Sequence, residues 1–467
     1  STAAAKPAMQ QAPSEWRIVG RHAATVLVGQ LAIMAFGVAD TVIAGRHSVE
    51  ALAALSVGSA IFISVYVALI GIVQALLPIW AEMRGARREL ALGVSVRQSL
   101  YLCAVVGLAG TAILLLPGPL LDWAQVPELM RGQVEDYLTV LAVAFIPTLL
   151  FRVYSTLNQA LGKPMLVTWL QIGALAVKIP LSIWLVGGGA GMPALGAAGC
   201  AWATLVVSYL QLALALHLLR SQDIYRPYRL WAPMERPDWP QLRQFLRLGL
   251  PGGLSYLVEV TSFTLMAVFI ARLGAVAAGS HQIASSMTAV LYMVPLSLAL
   301  ATSARVSYWI GRGDPLQARR VVFMGLGLGL GLVLCTTGLV ALLHRQIASL
   351  YSPNPEVVRQ AAALLLWVTV YHLADATQAM CIFLLRCYRV TLRPLLIYGV
   401  MLWGMGLSGG YWLAYVGGQM GPWTLAAQAS PASFWITATA ALAVVALSFV
   451  WLLHRAVERS RKDLNPG

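Results

Sequence analysis

Charged residues are scarce in this chain of 467 residues. Asp, Glu, Lys and Arg together make up 11% of it, whereas hydrophobic residues make up 59%. Soluble globular domains carry about a quarter charged residues, so this composition excludes an ordinary soluble domain. It also excludes a disordered chain, which needs low hydrophobicity. The mean hydropathy of +0.74 predicts a polytopic membrane protein, and the length allows roughly twelve membrane-spanning helices.

Cysteine is scarce as well, and two common catalytic motifs are missing. The five cysteines lie in or beside apolar segments without a C-x-x-C pair. This favours small buried apolar residues over a disulfide or metal role. The phosphate-binding pattern G-x-x-x-x-G-K-[ST] and the metalloprotease pattern H-E-x-x-H do not occur. We therefore expect neither an enzyme nor a protein with a resident cofactor.

Twelve apolar stretches have the length of a membrane-spanning helix. The first six lie near residues 24–44, 51–79, 98–117, 137–160, 164–186 and 194–219, and the second six near 248–271, 276–304, 320–343, 361–385, 394–417 and 430–453. A membrane barrel would instead show alternating segments of about ten residues. The predicted fold class is an all-α polytopic membrane protein with twelve transmembrane helices in two pseudo-symmetric six-helix bundles.

Basic residues concentrate on one side of these stretches. Lys and Arg number 32 against 18 Asp and Glu, which gives a net charge of +14. Of the 32, 25 fall on the side that holds the N-terminus, five on the other side, and Arg152 and Lys178 inside the stretches. Because cytoplasmic loops carry an excess of Lys and Arg, both termini are predicted to be cytoplasmic in a bacterial plasma membrane, and no nucleic-acid partner is expected. Arg152 lies near the end of its stretch, where we expect it to reach water.

The longest polar interruption divides six stretches from six. A motif at 51–54 recurs at 275–278, an offset of 224, and the turn at 84–85 recurs at 311–313. Duplicated halves are typical of secondary transporters, which bind substrate between the halves and rock to alternate access. The predicted organisation is a tail at 1–16, an N-terminal bundle at 17–220, a cytoplasmic linker at 221–245, a C-terminal bundle at 246–455 and a tail at 456–467.

Two acids lie deep in the second half. Glu259 shares a helix face with Ser255, and Asp375 shares one with Tyr371 and Gln378. A charge inside a membrane costs on the order of 2.5–3.5 kcal/mol on insertion scales, so such acids indicate function. They could bind Na⁺ through oxygens, hold a proton or attract a cationic organic substrate. The candidate site of this half comprises Glu259, Asp375, Ser255, Gln282, Tyr292, Gln378, His281 and Tyr371.

The first half has one deep acid, Asp40, and one deep base, Lys178. A buried acid and a buried base usually pair, since leaving either alone is costly. The sequence leaves open whether these two residues meet. The 15 Trp, 16 Tyr and 15 Met offer stacking surfaces for flat lipophilic cations.

Five segments of the chain carry motifs in a characteristic order. They are GVADTVIAG at 37–45 after Gln30, GMPALGAAGC at 191–200, PGGLSYLVE at 251–259, HQI at 281–283 with YMVPLS at 292–297, and ADATQ at 374–378. Together they resemble the multidrug and toxic compound extrusion (MATE) family, in its NorM branch. The resemblance runs from about residue 25 to 455. It implies a V-shaped pair of six-helix bundles that exports cationic drugs and dyes against an inward Na⁺ or H⁺ gradient.

The resemblance also implies roles for individual residues. Glu259 and Asp375 would hold the coupling Na⁺ or H⁺, and the site of the first half would comprise Asp40, Lys178 and Gln30. The family often has asparagines where this chain has Lys178 and Ser182. Our hypothesis is that an Asp40–Lys178 pair replaces cation binding in that half or itself relays a proton. The expected ligands are lipophilic cationic drugs or dyes and membrane lipids, without an obligatory protein partner.

The predicted function is secondary active multidrug efflux by Na⁺/drug or H⁺/drug antiport. An alternative from the wider superfamily is a flippase for a lipid-linked oligosaccharide or a metabolite, which should have a basic central cavity. Here the charged candidate cavity residues are mainly acidic, and the basic ones are Lys178 and Arg152. This composition favours the antiporter. A membrane-embedded enzyme would need a conjugation or hydrolysis site, and none is visible.

Overall fold

The computed structural model describes residues 14–123, 125–420, 423–425 and 429–464, which are almost entirely helical. Eleven helices among these residues are long and apolar enough to cross a membrane. A further helical segment of 25 residues, at 392–416, brings the spanning segments to twelve. The predicted all-α polytopic class is confirmed. Most of the predicted tail at 1–16 lies outside the described residues, and the first helix begins at Glu15.

The spanning segments, numbered 1 to 12 along the chain, all overlap their predicted stretches. Spans 1 to 6 are Glu15–His47, Val49–Gly85 with a turn at Ala75, Glu89–Leu115, Glu128–Ala160, Met165–Gly187 and Ala197–Ser221. Spans 7 to 10 are Trp239–Ala271, Ala275–Gly311, Pro315–Tyr351 and Pro355–Cys387, span 11 is 392–416, and span 12 is Pro431–Leu464. A short hairpin of β1 (Gly418–Met420) and β2 (Trp423–Leu425) lies between spans 11 and 12.

Span 11 departs from a regular α-helix. It is α-helical at Leu392–Gly399, then widens into π-helical turns at Val400–Ser408 and again at Trp412–Val416. The segment contains five glycines, which weaken a regular helix by their backbone freedom. Turns of this kind often occur at functional sites, and Tyr398, a residue of the site described below, lies just before the first of them.

The predicted linker at 221–245 is docked on span 3. Arg97, which is buried in that span, donates from Nε and Nη2 to the carboxylate of Glu235 at 2.8–3.1 Å. The backbone N–H of Asp238 donates to Gln98 Oε1 at 2.9 Å. Hydrogen bonding from Arg97 holds the pKa of Glu235 below its ordinary value. The connection between the two halves is therefore fixed to the first half.

The two halves meet along a seam in which spans 1 and 2 contact spans 7 and 8. Gly85, at the end of span 2, packs on the backbone carbonyl of Tyr308 in span 8. Reciprocally, Gly311, at the end of span 8, packs on the backbone carbonyl of Glu82 in span 2. The turns that form the predicted repeat thus contact each other's spans, as equivalent positions around a pseudo-twofold axis do.

Ion pairs close one end of this seam. Arg305 donates to the carboxylate of Glu15 at 2.7 and 2.9 Å, and Arg389 donates to that of Glu82 at 2.8 Å. These contacts lie on the side where odd-numbered spans begin and even-numbered spans end. This side carries most of the Lys and Arg residues, and we call it the basic end. The halves are therefore joined at the basic end.

Gly85→Ala is expected to open the seam. A Cβ at this position would clash with the backbone carbonyl of Tyr308, which cannot rotate away. Overpacking of this kind costs typically 1–3 kcal/mol, which would shift the closed arrangement by roughly 5-fold to 150-fold. Spin labels on cysteines placed at Arg88 and Arg312, in a chain freed of its five native cysteines, should report longer distances between the halves.

Gly327→Ala is the matched control for this prediction. Nothing lies within 4 Å of a Cβ at Gly327, which is exposed on span 9. The same added methyl group should leave the label distances unchanged there. Equal distance distributions for Gly85→Ala and Gly327→Ala would contradict a tight glycine contact at the seam.

Candidate functional site

The two deep acids of the second half lie on spans 7 and 10, beside polar side chains. Glu259 on span 7 and Tyr398 on span 11 line the same small cavity. Asp375 on span 10 is buried, and its Oδ1 accepts from Gln378 Nε2 at 2.9 Å. The two carboxylates are close enough to interact electrostatically. The structure thus brings together Glu259, Asp375 and Gln378, as the sequence predicts.

Glu259 faces a very small cavity. Its volume is about 20 Å³, which is enough for one water-sized group. Four of the predicted residues line it: Ser255, Glu259, Tyr292 and Gln378. Tyr256 and Tyr398, which the sequence analysis does not single out, line it as well. The cavity offers carboxylate and hydroxyl oxygens to a small occupant and has no room for a drug.

Arg386 also lines this cavity, although the predicted apolar stretch at 361–385 ends one residue before it. It lies inside span 10 and is 4% exposed. Its guanidinium stacks on Phe383 at 4.7 Å, and its Nη1 has no hydrogen-bond partner among the described residues. A helical pattern could have found it, because Gln378, Ile382 and Arg386 follow Asp375 at i+3, i+7 and i+11 along one face.

Four predicted residues of this half are not among those that line the small cavity: Asp375, His281, Tyr371 and Gln282. The buried His281 accepts a hydrogen bond at Nδ1 from Trp435 Nε1 on span 12, at 3.1 Å. The ring of Tyr371 lies edge-on to Trp435, with centroids 5.1 Å apart. Gln282 is exposed. His281 and Tyr371 thus belong to an aromatic cluster with Trp435 beside the acids.

Asp40 and Lys178 form an ion pair in the first half. Lys178 Nζ lies 3.0 Å from Asp40 Oδ1, and the lysine is completely buried. The ammonium also donates to the backbone carbonyl of Cys200 at 2.8 Å and to Thr204 Oγ1 at 2.6 Å. All three of its donors are therefore used. The pair ties span 1 to span 5, and the lysine ties both to span 6.

Asp40 also lines the largest cavity described in this half. The cavity has a volume of about 610 Å³, within the range of small-molecule sites. Its lining is mainly apolar and includes five aromatic side chains: Phe36, Phe62, Tyr66, Tyr137 and Phe151. A large apolar chamber with few charged groups is suited to bulky lipophilic compounds.

Arg152 is the second charged residue that lines the 610 Å³ cavity. Its Nε donates to Tyr66 Oη at 2.7 Å, and its guanidinium lies over the same ring. Hydrogen bonding and stacking hold Arg152 at the wall of this cavity, and its side chain is partly exposed there. Gln30 is buried but is not among the residues that line the cavity with Asp40.

Comparison with known sequences places the chain in a family. The sequence model of the MatE family matches residues 26–184 and 251–412, one stretch in each predicted half. A probable multidrug resistance protein NorM of Aromatoleum aromaticum is 37% identical over 96% of each chain. The multidrug resistance protein PmpM of Pseudomonas aeruginosa is 32% identical over 86% of each chain.

A solved structure supports the same fold. The eukaryotic MATE transporter AtDTX14 superposes with a TM-score of 0.84 at 18% identity, over 96% of this chain and 99% of that one. At this identity the likeness concerns the fold alone, and the family assignment rests on the sequence matches. The chain belongs to the MatE family, as a NorM-like member.

Proposed function

We propose that this protein is a multidrug efflux transporter that exchanges lipophilic, mostly cationic compounds for protons. The observation that carries the proposal is the separation of two cavities of different size. A chamber of about 610 Å³ surrounds Asp40 in one half, and a water-sized cavity surrounds Glu259 in the other. The NorM and PmpM relatives are named as multidrug resistance proteins, which supports a drug as the ligand of the larger cavity.

The 610 Å³ cavity is proposed as the drug site. Its aromatic lining suits flat lipophilic compounds, which stack on such rings. Among its described lining residues, Asp40 is the carboxylate that can attract a cation. Lys178 competes for Asp40, yet it keeps Cys200 and Thr204 as partners when Asp40 turns to a substrate. Exchange of Lys178 for a drug cation leaves the ammonium hydrogen-bonded but without its counter-ion, so contacts between the drug and the cavity must offset that cost.

The cavity at Glu259 is proposed as the coupling site, and its occupant as a proton. Na⁺ needs several well-placed oxygens, whereas a proton needs one carboxylate. Arg386 contributes a positive charge to the same cavity, which disfavours a metal cation there. A carboxylate out of water is costly while it is charged, so uptake of a proton at Glu259 is coupled to its burial.

The transport cycle follows from the closed basic end. Because basic loops face the cytoplasm, we infer that both termini are cytoplasmic and that this arrangement opens outward, across a bacterial plasma membrane. A proton from outside binds Glu259 and favours release of the drug. The halves then rock inward, the proton leaves, and a new drug binds beside Asp40. Each ligand favours a different arrangement of the halves, so each lowers the affinity for the other.

The test uses the purified full chain in vesicles loaded with ethidium. A pH gradient, acidic outside, and an inward Na⁺ gradient at constant pH are imposed separately, with protein-free vesicles as the control. We expect the pH gradient alone to drive efflux. Efflux under the Na⁺ gradient alone would contradict proton coupling.

Failure of both gradients would contradict drug efflux by this protein. The flippase alternative would then be examined by flipping of a labelled anionic lipid in the same vesicles. One observation favours that alternative, namely that Arg152 lies in the large cavity and could bind an anionic headgroup.

A further inference from the structure

A second pocket lies at the basic end, across the seam between the halves. Its volume is about 350 Å³. Span 1, the end of span 2 and the turn between spans 4 and 5 form its wall in the first half, and span 8 forms the opposite wall. The charged and titratable residues that line it are Arg17, Arg21, His22, Arg84, Lys163 and Arg305.

Positive charge in this pocket is largely uncompensated. Arg305 is paired with Glu15, which approaches it from outside the lining. Arg17, Arg21, Arg84 and Lys163 have no ion pair among the described residues. Arg17, Arg21 and Lys163 are exposed, while Arg84 is partly buried and lies over the ring of Tyr308. Four cations around one pocket repel one another, and an anion bound there would stabilise them together.

A buried ring nitrogen without a partner in the described part of the chain belongs to a residue that lines the same pocket. His22 is 8% exposed and lines the pocket, and its Nε2 has no hydrogen-bond partner among the described residues. Buried polar atoms normally have a partner, so one left unpaired at a cavity wall is explained by a ligand or a water there. An imidazole N–H can donate to an oxygen of an anion.

We propose that this pocket binds a phosphate group, carried by an anionic phospholipid headgroup or free in solution. Arginines bind phosphate oxygens through two parallel hydrogen bonds, and the pocket supplies several arginines at once. Basic pockets between spans at the cytoplasmic surface are suited to anionic headgroups, which lie at that depth. Drug and proton transport do not require this site, so it is separate from the proposed function.

The position of the pocket gives the ligand a structural consequence. Arg84 belongs to the first half and Arg305 to the second, and both line the pocket. A phosphate that contacts both would connect the halves across the seam. Occupancy therefore stabilises the arrangement in which the basic end is closed.

The binding test measures the rise in thermal unfolding midpoint of the full chain in neutral detergent, since a ligand that binds the folded state raises it. Short-chain phosphatidylglycerol, short-chain phosphatidylcholine and inorganic phosphate are titrated separately at constant ionic strength. The pocket variant combines Arg17→Gln, Arg21→Gln and Lys163→Gln. The control variant, with the same loss of charge at exposed sites of the basic end outside the pocket, combines Arg88→Gln, Arg312→Gln and Arg320→Gln.

We expect phosphatidylglycerol to raise the midpoint with saturation, and phosphatidylcholine to do so at least tenfold more weakly. The pocket variant should bind phosphatidylglycerol at least tenfold more weakly than the wild type, and the control variant within twofold. Saturation by inorganic phosphate at equal concentration would identify free phosphate as a ligand. A response to phosphatidylglycerol without a response to inorganic phosphate would identify the lipid. Equal loss in both variants, or no response to any phosphate-bearing probe, would overturn the proposal.

Discussion

Glu259→Gln is expected to abolish drug efflux driven by a pH gradient. Glutamine keeps the size of the side chain and can still accept a hydrogen bond in the cavity that it shares with Tyr398, but it cannot bind and release a proton. The small cavity then has no carboxylate that exchanges a proton in each cycle. Ethidium efflux from reconstituted vesicles should fall to the rate of vesicles without protein, while the thermal unfolding midpoint stays close to that of the wild type.

Glu356→Gln is the control for this loss. Glu356 lies in the first turn of span 10, is exposed and pairs with Arg359 in the same helix. An exposed pair of this kind contributes about 0–1 kcal/mol, so the variant should transport at the wild-type rate. Efflux by Glu259→Gln at a rate comparable to that of Glu356→Gln would place the coupling proton elsewhere.

The fold and the acids could be predicted from the sequence because both follow from the cost of placing polar groups in a membrane. Every span overlaps its predicted stretch, since an apolar run of spanning length has little alternative to a helix there. Glu259 and Asp375 stand out for the same reason, because a charge in such a run is costly. The pairing of Gln378 with Asp375 follows from their i, i+3 spacing on one helix.

The remaining parts of the site depend on how separate helices rotate and pack. Arg386 sits where span 10 passes from apolar to basic sequence, and hydropathy does not tell a buried arginine there from an exposed one. Arg152 is held at the wall of the large cavity by Tyr66 on another span. His281 on span 8 and Tyr371 on span 10 both contact Trp435 on span 12, the first by a hydrogen bond and the second by a ring contact. Contacts of this kind require the positions of two or three spans at once.

The Asp40–Lys178 pair leads to the second large effect. Lys178→Met is expected to destabilise the protein by about 3–5 kcal/mol, because it leaves Asp40 with a largely buried and unpaired charge. The carbonyl of Cys200 and the hydroxyl of Thr204 lose their hydrogen bonds from the lysine as well. The thermal unfolding midpoint in detergent should fall markedly, whereas Lys462→Met, an equal loss of charge at an exposed site, should leave it nearly unchanged.

The double variant Asp40→Asn with Lys178→Met separates the ion pair from the shape of the site. Replacing both charges removes the unpaired carboxylate, and a buried pair exchanged for neutral groups of similar volume often costs little. We therefore expect the double variant to regain most of the stability that Lys178→Met loses, which a double-mutant cycle measures directly. It should nevertheless fail to export ethidium, since the drug site would have lost its carboxylate. A double variant as unstable as Lys178→Met would show that Lys178 acts through its bonds to Cys200 and Thr204 and not through Asp40.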